Sequence, residues 1–440
     1  MTSGATAATG PLDPTAAFLL GLAGLLFLTY GAGRVARALG QPPVVAELAV
    51  GILAGPSLLG ALAPGAHHLL FGPRTLPALD ALAQLGVTLY ALGMGRRLAG
   101  DGGRSGGEGP GGGTVAAVGA VSFGVPMVVG ALLALGPARR FAGAHSSPSG
   151  YALFLGCALS VTALPVLARL LESAGLTGAR VGRLSLGAAA AGDAAAWCVL
   201  TAALAASSGA VRADRLLPAG CGLAVVAVLL WLSRARRMRR SPQAGLTLLA
   251  AGGVLAGGVS AALGLHQLCG ALLFGFLHGR LRPGPEPAVD MLEQVAGALL
   301  LPCFFLGYGQ RLDLGAFDWS GSTLAVIGAV VVVACGVKAV GCAAVAAARG
   351  LPAAEWLRLA LLMNSRGLTE LVVLSVGYQA GLIDRTLLLA LTLMALATTA
   401  LVGPGLALLD RVRPLPGERA TAGGGAVDAV EAREPTRLAG

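Results

Sequence analysis

Lysine is nearly missing from this chain. Of 31 basic residues, one, Lys338, is a lysine and the other thirty are arginines. Charge of either sign is scarce: Asp, Glu, Lys and Arg together make up 12% of the 440 residues, against about 25% in a soluble domain. Aromatic residues are few as well, at 5%, whereas apolar residues reach 55% and mean hydropathy is +0.78. The shortage of charge excludes a water-soluble domain. The net charge of +10 would fit a nucleic-acid binder, but with so much apolar sequence the arginines read as charges flanking membrane spans, and no nucleic-acid partner is expected. Paired cysteines are lacking too. The seven cysteines stand singly in apolar runs with no CxxC or Cys/His cluster, which argues against a zinc site or a disulfide framework and makes them packing residues. No resident metal or cofactor is expected. Residues 1–14 are polar and have no basic n-region, so the first apolar run is expected to be retained rather than cleaved as a signal peptide.

What the chain does contain is long apolar runs. Thirteen are separated by Arg, Pro and Gly clusters, near 15–33, 43–60, 76–94, 114–135, 150–171, 184–207, 216–233, 244–263, 265–279, 291–310, 320–348, 355–380 and 386–409. A bilayer-spanning helix takes about 20 residues, so the fold class is all-α, a polytopic membrane protein of twelve or thirteen spans. The short, Gly-rich second and ninth runs are the least defined. Gly100 to Gly113 reads as a flexible loop, residues 1–14 as an extension, and 411–440 as a charged, disordered tail with no appended soluble module. Thirteen spans with the N-terminus outside place eighteen arginines on inner flanks and seven on outer ones. The positive-inside rule therefore predicts an outer N-terminus and a cytoplasmic C-terminus.

Charges inside apolar runs are costly and mark function by default. Asp193 is the only charge between Leu184 and Val211, and Lys338 the only one between Trp319 and Ala348. Asp193 lies ten residues past Arg183, and Lys338 eleven before Arg349. With ~1.5 Å of rise per residue, both sit roughly 15 Å from the same membrane face. A carboxylate and an amine at equal depth could pair in a proton-linked site, or form a salt bridge that only fixes helix packing. Two other runs are interrupted. Ser160, Thr162 and Pro165 break the fifth, and Asn364, Ser365, Arg366, Gly367, Thr369 and Glu370 break the twelfth. Non-helical backbone at this depth must be buried in protein or face water, and interrupted helices in matching halves of a transporter point to its binding site.

These residues resemble the monovalent cation:proton antiporter superfamily, in its second branch of bacterial sodium/potassium–proton exchangers. The resemblance runs from about Thr15 to Leu409. It is carried by Gln41 to Glu47 with Gly51 to Gly60, by Ser160 to Arg169 with Gly175-Leu176 and Val181 to Leu184, by Gly270 to Phe276, and by Asn364 to Leu374. It implies inverted repeats with two crossed discontinuous helices, a membrane domain over 15–410, interface spans near 15–94 and 216–310, core spans near 114–207 and 320–409, and a homodimer in the bacterial plasma membrane serving pH homeostasis. It further implies that Asp193 binds cation or proton alternately and that Lys338 is the basic residue beside it. Thr162, with Ser160 and Pro165, would supply ligands and support at the first break, including carbonyls freed for the cation. Asn364, Arg366 and Glu370 would support the second, and Glu47 would be a structural or interfacial acid. Where the family usually has Asp-Asp or Asn-Asp, this chain has Gly192-Asp193. Lys338 is then expected either to pair with Asp193 itself or to be held neutral, and a single carboxylate favours one-for-one exchange. The implied partners are a monovalent cation (Na+ or K+), H+ and lipid. An organic-substrate transporter on the same fold and a transport-dead membrane sensor are the other readings. An intramembrane enzyme finds little support: His266 and His278 lack a serine motif and read as interfacial residues.

Overall fold

The computed structural model describes residues 14–39, 41–73, 75–101, 112–207, 223–229, 242–263, 266–284, 286–315, 317 and 319–413. The N-terminal extension, most of the Gly-rich loop, most of the run expected at 216–233 and the C-terminal tail lie outside these residues.

The longer apolar runs become long helices, with Pro126 and Pro404 carried inside two of them: α1 (Pro14–Ala38), α3 (Leu76–Asp101), α4 (Gly112–Leu135), α7 (Arg180–Ser207), α8 (Pro242–Ala262), α10 (Pro287–Gly309, with a π turn at Ala296–Leu300), α11 (Gly321–Ala348) and α14 (Arg385–Val412). These eight are the described helices long and apolar enough to cross a bilayer. The two Gly-rich runs form shorter helices, α2 (Pro43–Leu53) and α9 (Gln267–Leu281). The two interrupted runs each form a pair of half-length helices, α5 (Pro148–Ser160) with α6 (Leu164–Ser173), and α12 (Ala353–Leu362) with α13 (Leu368–Gln379). Among the described residues the only β pairing is an isolated bridge between Ala142 and Ile383.

Long helix, broken helix, long helix thus occurs twice, as α4–α5/α6–α7 and as α11–α12/α13–α14. Local chemistry repeats with it. The second half-helix of each pair ends in Gly-Leu: Gly175 (φ 67°) and Gly381 (φ 68°) take the left-handed conformation that a side chain resists. Behind them Leu176 N–H bonds Leu171 O and Leu382 N–H bonds Gly377 O, both at 2.8 Å, while the leucines bury their side chains. This is the Schellman stop.

Packing follows residue size. In one group α3 lies against α9 and α10, α8 against α9, and α2 against α1 and α10. In the other, α4 contacts α5, α7 and α11, α12 contacts α11 and α14, and α13 contacts α14. At the α2–α10 crossing the backbones meet at Gly51 and Gly309, where a Cβ on either would overlap carbonyl groups of the opposite helix. Every residue of α13 from Leu368 to Gly377 is buried. Phe27 of α1 and Val332 of α11, by contrast, are 77% and 70% exposed, as expected of faces turned to lipid.

Candidate functional site

The two broken helices meet at their breaks. Ala163 N–H donates to Ser365 O at 3.2 Å, and the Thr162 hydroxyl donates to Met363 O at 2.9 Å. The polarity of Thr162 and the gap in α5/α6 are thus used to stitch one break to the other.

A helix leaves its last four carbonyls without intrahelical partners. In α5 the final helical bond runs from Val161 N–H to Cys157 O, which leaves Ala158, Leu159, Ser160 and Val161. Two cations take all four. Lys338 Nζ donates to Ser160 O at 2.6 Å and to Val161 O at 2.8 Å. Arg366 Nη1 donates to Ala158 O at 3.0 Å and Nη2 to Leu159 O at 2.9 Å. Positive charge at a helix C-terminus also opposes the negative end of its dipole. Both side chains are fully buried. Arg366 pairs with Glu370 Oε1 at 2.8 Å one turn along α13, and its own peptide is clasped by Thr399, whose hydroxyl accepts from Arg366 N–H at 2.9 Å and donates to Arg366 O at 2.7 Å. Asn364 Nδ2 donates to Ala360 O at 3.2 Å, and the turn after α12 closes with local bonds from Asn364 and Ser365 N–H.

Asp193, midway along α7, is also fully buried, and neither carboxylate oxygen has a hydrogen-bond partner. Its electrostatic neighbours are the Leu164 backbone N–H, Lys338 and Arg97. Leu164 opens α6, whose N-terminus has no side-chain cap, so the positive end of that helix is left to the carboxylate. Pro165 sits in the first turn of α6, where its missing N–H breaks no helical bond.

The expected site residues therefore gather around one crossing, but with different partners. Asp193 and Lys338 share the core without forming an ion pair; the ammonium of Lys338 goes to α5 carbonyls instead. Of the carbonyls next to Thr162 expected to be free for a cation, those of Ser160 and Val161 are taken by Lys338. The Ser160 hydroxyl folds back onto Gly156 O at 2.7 Å, so only its carbonyl takes part. Beside Asp193, a Cβ at Gly192 would meet only Phe123 Cδ2, at 3.9 Å, an ordinary van der Waals contact. Glu47 is half-buried near Arg37 and Arg169, away from the crossing, and lines a cavity of about 610 Å³. Two residues depart from the flank positions expected of them. Arg358 is buried, bonding Asp410 and the carbonyls of Ala354 and Arg413. His278 is 1% exposed and accepts from Arg96 at 2.8 Å. Neither role carries a local signal, since both depend on partners far along the chain.

A membrane-spanning helical domain built on two crossed, interrupted helices around a buried carboxylate is the class these features define. The family model for the sodium/hydrogen exchanger transmembrane domain matches residues 23–409, and the chain belongs to that family. It is 31% identical over 386 residues to Cation/H(+) antiporter 15 of Arabidopsis thaliana, covering 84% of this chain and 45% of that protein. It is 29% identical over 416 residues to the Na(+)/H(+) antiporter NhaS4 of Synechocystis, covering 90% and 96%. The chain spans about half the length of the plant relatives it matches. The solved structure of the sodium proton antiporter MjNhaP1 from Methanocaldococcus jannaschii shares the fold, with a TM-score of 0.51 at 15% identity over 90% of this chain and 95% of that one.

Proposed function

We propose that this chain is a secondary antiporter that exchanges a monovalent cation, Na+ or K+, for H+ across the membrane, with Asp193 as the carrier. One observation carries the reading: a carboxylate at the centre of the crossed helices, fully buried, has both oxygens unpartnered. Such a group is costly unless something outside the fold occupies it. A hard cation, held by oxygen ligands, and a proton are the two species that relieve that cost, and each excludes the other. Alternating access then converts competition into exchange: α4–α7 and α11–α14 carry the site between the two faces, against α1–α3 and α8–α10, which also provide the homodimer surface. The printed activities of relatives, Na(+)/H(+) for NhaS4 and K(+)/H(+) for antiporter 1 of Saccharomyces cerevisiae, support the substrate class. The arginine distribution supports an outer N-terminus and a cytoplasmic C-terminus.

In everted vesicles, Na+ or K+ added to an acidified lumen is expected to release protons, read by a pH-sensitive dye. Asp193→Asn is expected to abolish that release while the protein elutes and melts as a folded species. Normal exchange by the variant would overturn the assignment.

A further inference from the structure

The cavity of about 610 Å³ lies among α1, α2, α6 and α10, lined by Glu47, Asp290 and Glu293 and by Arg37 and Arg169. Glu293 does not simply face this space. It reaches across to α3, where it forms an ion pair with Arg97 and lies so close over Gly93 that a Cβ there would overlap its carboxylate. The Arg97 guanidinium in turn rests over the ring of Tyr90, 5.9 Å from its centroid. Tyr90, Gly93 and Arg97 follow at i, i+3 and i+7, one face of α3. The Tyr90 hydroxyl is buried without a partner, with Asp193, Arg97 and Glu293 all among its electrostatic neighbours. Arg97 is likewise a neighbour of Asp193. Tyr90 and Met94 also pack against the apolar cluster that holds Leu164 and Ala189, one turn before Asp193, so this part of α3 runs from Glu293 toward the carrier carboxylate.

We propose that Arg97 is a tethered competitor for the Asp193 carboxylate, and that Glu293 keeps the site open to cations by holding Arg97 in an ion pair away from it. A guanidinium never loses its charge in a protein and matches a carboxylate with two parallel donors. Released from Glu293, Arg97 would have one other buried, unpartnered carboxylate in its neighbourhood, and bound there it would occupy the place of the transported ion. Glu293 and Arg97 are thus positioning residues: they set how readily a cation reaches Asp193, not the chemistry at it. The inference rests on the carrier role proposed for Asp193.

The test is dye-monitored exchange by the full-length chain in vesicles, with Na+ and with K+, measured as half-saturating concentration and maximal rate. Glu293→Gln is expected to raise the half-saturating concentration about tenfold, the scale of coupling between close charge pairs, with the maximal rate largely kept. Gly93→Ala, which displaces the Glu293 carboxylate without removing it, should move it the same way. The decisive variant is Arg97→Gln combined with Glu293→Gln, which should return the half-saturating concentration close to wild type. A merely structural pair would register in the melting temperature and leave the half-saturating concentration unchanged in every variant. An unchanged value in both single variants, or a double variant as impaired as Glu293→Gln, overturns the proposal while leaving the antiporter reading intact. A wild type that shows no Asp193-dependent exchange overturns the antiporter reading itself.

Discussion

Lys338 shows what a single residue does in this fold. Its charge lies in an otherwise uncharged stretch, and its depth, level with Asp193, follows from counting residues. Its partner does not follow, because the Ser160 and Val161 carbonyls lie 178 and 177 residues away and reach it only once the two broken helices cross. A compact ammonium suits two carbonyls that converge on one point, while the planar fork of Arg366 suits the pair one step back along α5. Lys338→Met would leave two buried carbonyls unsatisfied, at a cost of roughly 3 kcal/mol. It is expected to lower the melting temperature of the purified protein clearly, whereas Asp193→Asn, which removes an unpartnered charge, should not. Equal stability of the lysine variant and wild type would show that the carbonyls do not depend on it.

At the scale of elements, the interruptions were readable from Pro165 and from the polar run at 364–370, because each places residues that disfavour helix inside an apolar stretch. Their unequal closure was not readable. One break is closed by cations from elsewhere and the other by its own turn together with Thr162, Ala163 and Thr399, a difference fixed by how the helices cross. The flank arginines taught the same lesson: charge counting treats Arg358 as a solvent-facing signal, while the fold uses it to tie α12 to the end of α14. Close helix approach is likewise tertiary. Gly51 and Gly309 meet only because α2 and α10 cross at those residues, and Gly309→Ala should force the helices apart. Overpacking of this kind costs about 1–3 kcal/mol; a lowered melting temperature would register it, and an unchanged one would mean that the crossing yields easily.

At the scale of the whole molecule, four of the fully buried charged residues belong to the crossing: Lys338, Arg366, Asp193 and Glu370. Lys338 is committed to carbonyls and Arg366 to carbonyls and Glu370, so in the proposed exchange Asp193 is the member whose occupant changes. With one monovalent cation or one proton on that carboxylate, the core carries the same net charge in either direction. Exchange should therefore be electroneutral, and its rate in proteoliposomes should not respond to an imposed membrane potential. A rate that rises or falls with the potential would mean that Lys338 gives up its proton during the cycle.

The four carbonyls at the end of α5 carry a further consequence. The cations that close them belong to the other repeat, so the first repeat by itself could not complete its own interrupted helix. The two halves are not two machines joined together. The second half supplies the charges that close the first, and the first returns the Ala163 N–H and the Thr162 hydroxyl to the break of the second.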